Sequence, residues 1–164
     1  LDSKKVEINQ GEIGGYVHSN GKIGVIVPLE TEKFCEDVRL KNLAHDISLH
    51  IAAFPAEAVK ADNVPTEVLK KEKEIFMAQA RESGKPEEII EKMIGGRLNK
   101  YYQESVLLEQ TFVIDGESKV SEILNSFDYP IEITNFVRFE LGEGIEKSNE
   151  EDFASEVDSM ISGN

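Results

Sequence analysis

The residues whose types can carry chemistry in this 164-residue chain are few: three histidines, one cysteine, two glycine-rich strings and a pair of tyrosines. His45 and His50 stand five residues apart, and i and i+5 do not face each other on a helix. No cysteine or carboxylate completes a ligand set at a known metal spacing around them. His50 shares a helix face with Leu43, Ile47 and Phe54, so a partly buried histidine bonded to a neighbour is expected. Cys35 is followed by Glu36 and Asp37, whose charges raise a thiol pKa and oppose nucleophilic use. A structural or surface thiol is expected there.

The glycine-rich strings fail the test for a phosphate cradle. "GEIGG", residues 11–15, precedes a strand instead of following one and opening a helix. "LGEGIEK", residues 141–147, follows a strand but carries acids where a phosphate would sit. Neither has the strand–loop–helix context of a nucleotide fingerprint, and both read as turns that use glycine for positive φ. Tyr101 and Tyr102 read as packing in a helix seam. No nucleophile–base pair, metal set or cofactor cradle can be built from these residues. A binding module without metal or cofactor is the expectation.

His18 lies in "GYVHSNGKIGVIV", residues 15–27. Asn20-Gly21 between apolar runs is a strong hairpin signal, because both residue types tolerate positive φ. The hairpin, set at residues 11–27, places His18 at the lip of its turn. Next, "PLETEKFCED" reads as a loop or helix entry. From about Cys35 to Phe54, the apolar residues Val38, Leu43, Ile47, Ile51 and Phe54 recur at helical spacing, and Pro55 ends the helix.

Two further amphipathic helices follow. Leu69, Ile75, Phe76 and Ala80 stripe the first, after Pro65; Ile90, Ile94, Leu98 and Tyr102 stripe the second, after Pro86. Gly84 lies between them, which predicts an antiparallel helical hairpin. "VLLEQTFVID" reads as a buried run and then a strand. "SKVSEILNSF" reads as a short helix capped by Ser118, and "IEITNFVRFEL" as a strand with a bulge. "NEEDFASEVDSMI" reads as a terminal helix with acids at its start. The predicted class is α+β: a small antiparallel sheet packed with helices, with an inserted antiparallel helical (coiled-coil) hairpin. Residues 1–64 and 107–148 form the core, 65–106 the hairpin and 149–164 the last helix.

Charge narrows the partners. The chain has 18 Lys+Arg against 32 Asp+Glu, a formal net charge of -14. Binding a nucleic-acid backbone requires phosphate neutralisation by Lys and Arg, so no direct nucleic-acid contact is expected. No apolar run approaches the ~20 residues of a membrane helix, so no membrane partner is expected either. One cysteine excludes an internal disulfide framework.

Long motifs carry a resemblance. "GKPEEIIEKMIGGRLNKYYQESVLLEQTFV" (84–113), "NFVRFELGEGIEKSNEEDFASEV" (135–157), "GYVHSNGKIGVIV" and "DISLHIAAFPAEAV" together resemble elongation factor Ts, in order and spacing, from about Gly11 to Val157. That family exchanges guanine nucleotide on the translational GTPase elongation factor Tu, in the bacterial cytoplasm or in organelles. The resemblance implies an α+β core with an inserted coiled-coil hairpin. It also implies that His18, at the hairpin tip, and Val113 and Ile114, in the strand after the helical hairpin, touch the GTPase. Ile114 stands where the family has Met.

The family's N-terminal helical domain and its Thr-Asp-Phe-Val motif have no counterpart here. The nearest string has Glu32 and Lys33 between Thr31 and Phe34. The reading adopted is the C-terminal portion of a long-form member, against a short form in which Glu32 and Lys33 replace the Asp and Phe. Such a segment supplies docking surface and exchanges poorly alone. The alternative from another class is a structural or assembly module whose helical hairpin dimerises.

Overall fold

The computed structural model describes residues 3–142. Strands β1 (Gly11–Val17) and β2 (Ile23–Thr31) form the hairpin, in an antiparallel register that pairs Gly14 with Val27 and Tyr16 with Val25. β2 is central. Its far edge pairs with β3 (Ile131–Glu132) near its end and with β4 (Val137–Glu140) over its first half. The result is a small antiparallel sheet with helices, the α+β class read from the sequence.

β2 runs past the point where "PLET" was expected to leave the sheet, and Pro28 is fully buried within it. Proline lacks an N–H, so it survives in a strand only where no ladder bond is needed. Thr31 N–H donates to Gln10 O at 3.1 Å, and alternate amides of a strand point the same way. The Pro28 nitrogen therefore faces the other edge, between the stretches that pair with β3 and β4. There the ladder opens: residues 133–136 stand opposite 27–29, four against three. That extra residue is the bulge expected in "IEITNFVRFEL", and Ile133 turns into the core from it, 1% exposed.

Helix α1 (Val38–Ala53) begins at Asp37, whose carboxylate accepts from Arg39 N–H at 2.8 Å, as an N-cap must to satisfy an orphan amide. The same carboxylate accepts from the Arg39 guanidinium at 2.7 Å and from the Tyr129 hydroxyl at 2.9 Å. The buried face of α1 is Leu40, Leu43, Ala44, Ile47 and Ile51, against Val25, Val27 and Leu29 of β2. Two residues assigned to that face are not on it: Val38 is 73% and Phe54 51% exposed. Val38 stands five residues from Leu43, out of phase with the stripe, and Phe54 has non-helical dihedrals past the helix end.

"GEIGG" is not a turn but part of β1, although Gly11 does take the positive φ expected of it, +129°. Gly14 faces α1, and a Cβ there would stand 1.9 Å from Ala44 O. The glycine is required by space and not by a turn, because the two backbones meet directly.

Helices α2 (Thr66–Glu82) and α3 (Glu87–Ser105) are joined through Gly84 at φ +66° and fold back on one another. Their seam is Ala80 against Ile90 and Ile94, flanked by Met77 and Leu98. Ile75, assigned to the stripe, is 40% exposed. At the other end of the pair, Val68, Leu69, Tyr101 and Tyr102 pack on Ala58, Val64 and Val106. Helix α4 (Val120–Asn125) is capped at Lys119 rather than Ser118, with the Glu122 carboxylate accepting from Lys119 N–H at 2.8 Å. The terminal helix expected from "NEEDFASEVDSMI" lies outside the described residues.

Gly14→Ala is expected to destabilise the chain by about 3 kcal/mol, the upper range for overpacking a core. Gly15→Ala, whose added Cβ would come no closer than 4.0 Å to Val25 O, should stay within about 0.5 kcal/mol of the unaltered chain. Urea denaturation of the two variants measures the difference.

Candidate functional site

The hairpin presents His18 at its tip, exposed. The chain does not reverse at Asn20-Gly21 alone. His18 N–H donates to Ile23 O at 2.9 Å and Gly21 N–H to His18 O at 2.8 Å, so Ser19 to Lys22 form a four-residue loop. Only Gly21 takes positive φ, +67°. Asn20 keeps negative φ and accepts from Lys22 N–H at 2.9 Å, the local capping that asparagine side chains provide in turns. Behind the tip, the Tyr16 hydroxyl lies 3.0 Å from His18 Nδ1, leaving Nε2 as the ring nitrogen without that partner. Tyr16 also meets His45 of α1 edge-on, with ring centroids 6.3 Å apart.

Val113 and Ile114 lie in a turn, not in the strand expected of "TFVID". The reason is the following Asp-Gly. Asp115 Oδ1 accepts from Glu117 N–H at 3.0 Å and Ser118 N–H at 3.1 Å, and Gly116 takes φ +70°. Gly116 N–H then donates to Phe112 O, and Phe112 N–H to Ser118 O, both at 2.8 Å. Phe112 is buried, while Ile114 is 54% exposed. An apolar groove of about 570 Å³ runs beside the turn, lined among others by Phe54, Pro55, Gln103, Phe112 and Val113.

His50 is fully buried, not partly so. Val113 N–H donates to its Nδ1 at 3.1 Å, so Nδ1 is unprotonated and Nε2 carries the proton. Nε2–H donates to Gln110 Oε1 at 2.9 Å, and Gln110 Nε2 donates to Glu104 O at 2.8 Å. Burial pushes the imidazole pKa below its ordinary 6.5, because desolvation disfavours the charged ring. Composition and spacing pointed to His50 but not to Gln110, Tyr16 or the exposed Phe54. Gln110 stands between Glu109 and Thr111, in a polar stretch that gave no local sign of its burial.

The remaining candidates do not gather. Cys35 is half-buried, and Tyr101 and Tyr102 pack edge-on, 6.0 Å between centroids. The Tyr101 hydroxyl donates to Glu57 at 2.6 Å, and burial with that carboxylate beside it pushes its pKa up to about 12. Among the described residues no group of three or more His, Cys, Asp or Glu is placed to hold a metal ion, and no helix is long and apolar enough to cross a membrane.

The α+β scaffold thus holds His18 outward on a hairpin tip and Ile114 outward on a tight turn. The family model described as "Elongation factor TS" matches residues 3–143. Among similar proteins, "Elongation factor Ts" of Magnetococcus marinus is 42% identical, over 98% of this chain and 53% of its own length. That of Rhodospirillum centenum is 45% identical, over 95% and 53%. That of Geobacter sulfurreducens is 46% identical, over 90% and 71%. The chain belongs to the elongation factor Ts family, and it spans about half the length of the first two relatives.

The pH dependence of stability follows from two groups. His50 is neutral in the fold and has its ordinary pKa of 6.5 when unfolded. Its contribution is complete above about pH 6.5 and is lost as pH falls, because the unfolded chain then binds the extra proton. The Arg39 guanidinium hydrogen-bonded to Asp37 holds that carboxyl down at about 2, against 3.8, so its contribution is lost below about pH 4. The urea midpoint should fall in two steps on acidification. His50→Asn should remove the upper step and Asp37→Asn should lessen the lower one.

Proposed function

We propose that the chain docks onto the translational GTPase elongation factor Tu and takes part in GDP/GTP exchange during protein synthesis, as a binding factor and not an enzyme. The carrying observation is the family match over residues 3–143, and the exposed placement of His18 and Ile114 supports it. The cytoplasm of a bacterium, or the interior of an organelle, is where such a partner is met.

An exchange factor accelerates release only through interactions that differ between two states of its partner. It must favour the state that holds nucleotide and metal poorly. His18, Val113 and Ile114 serve as contacts to the GTPase in this reading. The rigid hairpin and the Asp115-Gly116 turn limit the entropy lost when they bind. The chain supplies docking surface, and the intrusion on the nucleotide site belongs to parts of longer family members that have no counterpart in this sequence.

Stopped-flow release of a fluorescent GDP from elongation factor Tu tests the reading. This chain alone should bind and accelerate release far less than a longer family member such as the Magnetococcus marinus protein; equal rates refute the assignment of the intrusion to other parts, and absence of binding refutes the docking role. His18→Ala should leave the fold unchanged and weaken binding about fivefold, the scale of a modest interface contact.

A further inference from the structure

We propose that His50 is a positioning residue for partner recognition: its ring holds the turn carrying Val113 and Ile114 in place through the Val113 backbone N–H, without touching the partner. The inference rests on the reading of Val113 and Ile114 as partner contacts.

Burying an imidazole is costly unless its nitrogens are bonded, and an aliphatic residue would fill the same space without that demand. Here both nitrogens are used, and they face different parts of the chain. Nδ1 accepts a hydrogen bond from the Val113 N–H, 63 residues away. Nε2–H reaches Gln110, whose amide nitrogen donates to Glu104 O at the end of α3 and, at 3.4 Å, to Pro55 O just past α1. One ring thus ties the C-terminal ends of two helices to the turn.

The turn has its own internal bonds, from Asp115 Oδ1 and between Phe112 and Gly116 or Ser118. These set its shape and say nothing about where it sits on α1. Placement comes from two adjacent points: the buried Phe112 ring, 5.9 Å from the His50 ring, and the Val113 amide on Nδ1. With residues 112 and 113 both held, Ile114 has one direction left, outward.

The test uses the whole chain and two measurements, amide hydrogen exchange and binding affinity. In the unaltered chain the Val113 amide should be as protected from hydrogen exchange as the core amides of α1, and exchange at a solvent rate overturns the proposal. His50→Leu keeps the volume and removes the acceptor. It should speed Val113 exchange at least tenfold relative to Ile47 and weaken binding to elongation factor Tu about tenfold. His50→Asn, whose Oδ1 can stand where Nδ1 was, should recover most of that affinity. Combined with Val113→Ala and Ile114→Ala, His50→Leu should add almost nothing, because residues acting through one contact are not additive. Additive losses, or unchanged affinity in His50→Leu while the Val113 and Ile114 variants lose it, overturn the positioning role and leave the contact reading standing. Unchanged affinity in the Val113 and Ile114 variants removes both.

Discussion

Helix α1 rides on β1 with no side chain between them at Gly14, where any Cβ would collide with the Ala44 carbonyl. That approach sets the height and rotation of α1 over the sheet. With α1 seated there, Leu40, Leu43, Ile47 and Ile51 meet Val25, Val27 and Leu29 in one core. The N-terminus of α1 is then tied down through Asp37 to Arg39 and Tyr129. Its other end brings His50, about 9 Å of helix beyond Ala44, under the turn at Val113. Close packing transmits such a constraint because interiors have little free volume to absorb a shift.

The two surfaces assigned to partner binding share a construction. Each is a short reversal closed by backbone hydrogen bonds and an asparagine or aspartate side chain, with a glycine at positive φ. Each is also bonded to an imidazole: His18 is itself the presented group and is met by Tyr16, while His50 lies beneath the presented group and meets Val113. One ring is exposed and the other fully buried, and the buried one is neutral because desolvation outweighs the Gln110 bond. The acidic surface leaves the described ion pairs mostly exposed, such as Lys60 with Glu132 at 2.7 Å, and pairs of that kind add little stability.

Local chemistry was readable where one short-range rule dominates. The hairpin, the α1 stripe through Leu43, Ile47 and Ile51, and the α3 stripe through Ile90 and Ile94 follow from periodicity and glycine or proline punctuation. The bulge opposite Pro28 was readable in its own strand but not in β2, whose end in "PLET" read as a loop or helix entry. "GEIGG" misled because glycine satisfies two demands, positive φ and close approach, and nothing local distinguishes them. "TFVID" misled because β-branched residues favour a strand, while Asp115 and Gly116 just beyond turn the chain. His18 was singled out from its place at the hairpin lip, and Val113 and Ile114 only through the family resemblance.

The amino-acid sequence by itself determined the α+β class, the order of nearly every described element and the family, because patterning and long motifs are properties of the chain alone. Only the tertiary structure decided that Gly14 is a contact point, that His50 accepts a hydrogen bond from the backbone of a turn 63 residues away, and that Gln110 completes its bonds. Those facts depend on which segments meet in space. A buried polar group is committed to partners by desolvation, and sequence separation carries no information about which partners those are.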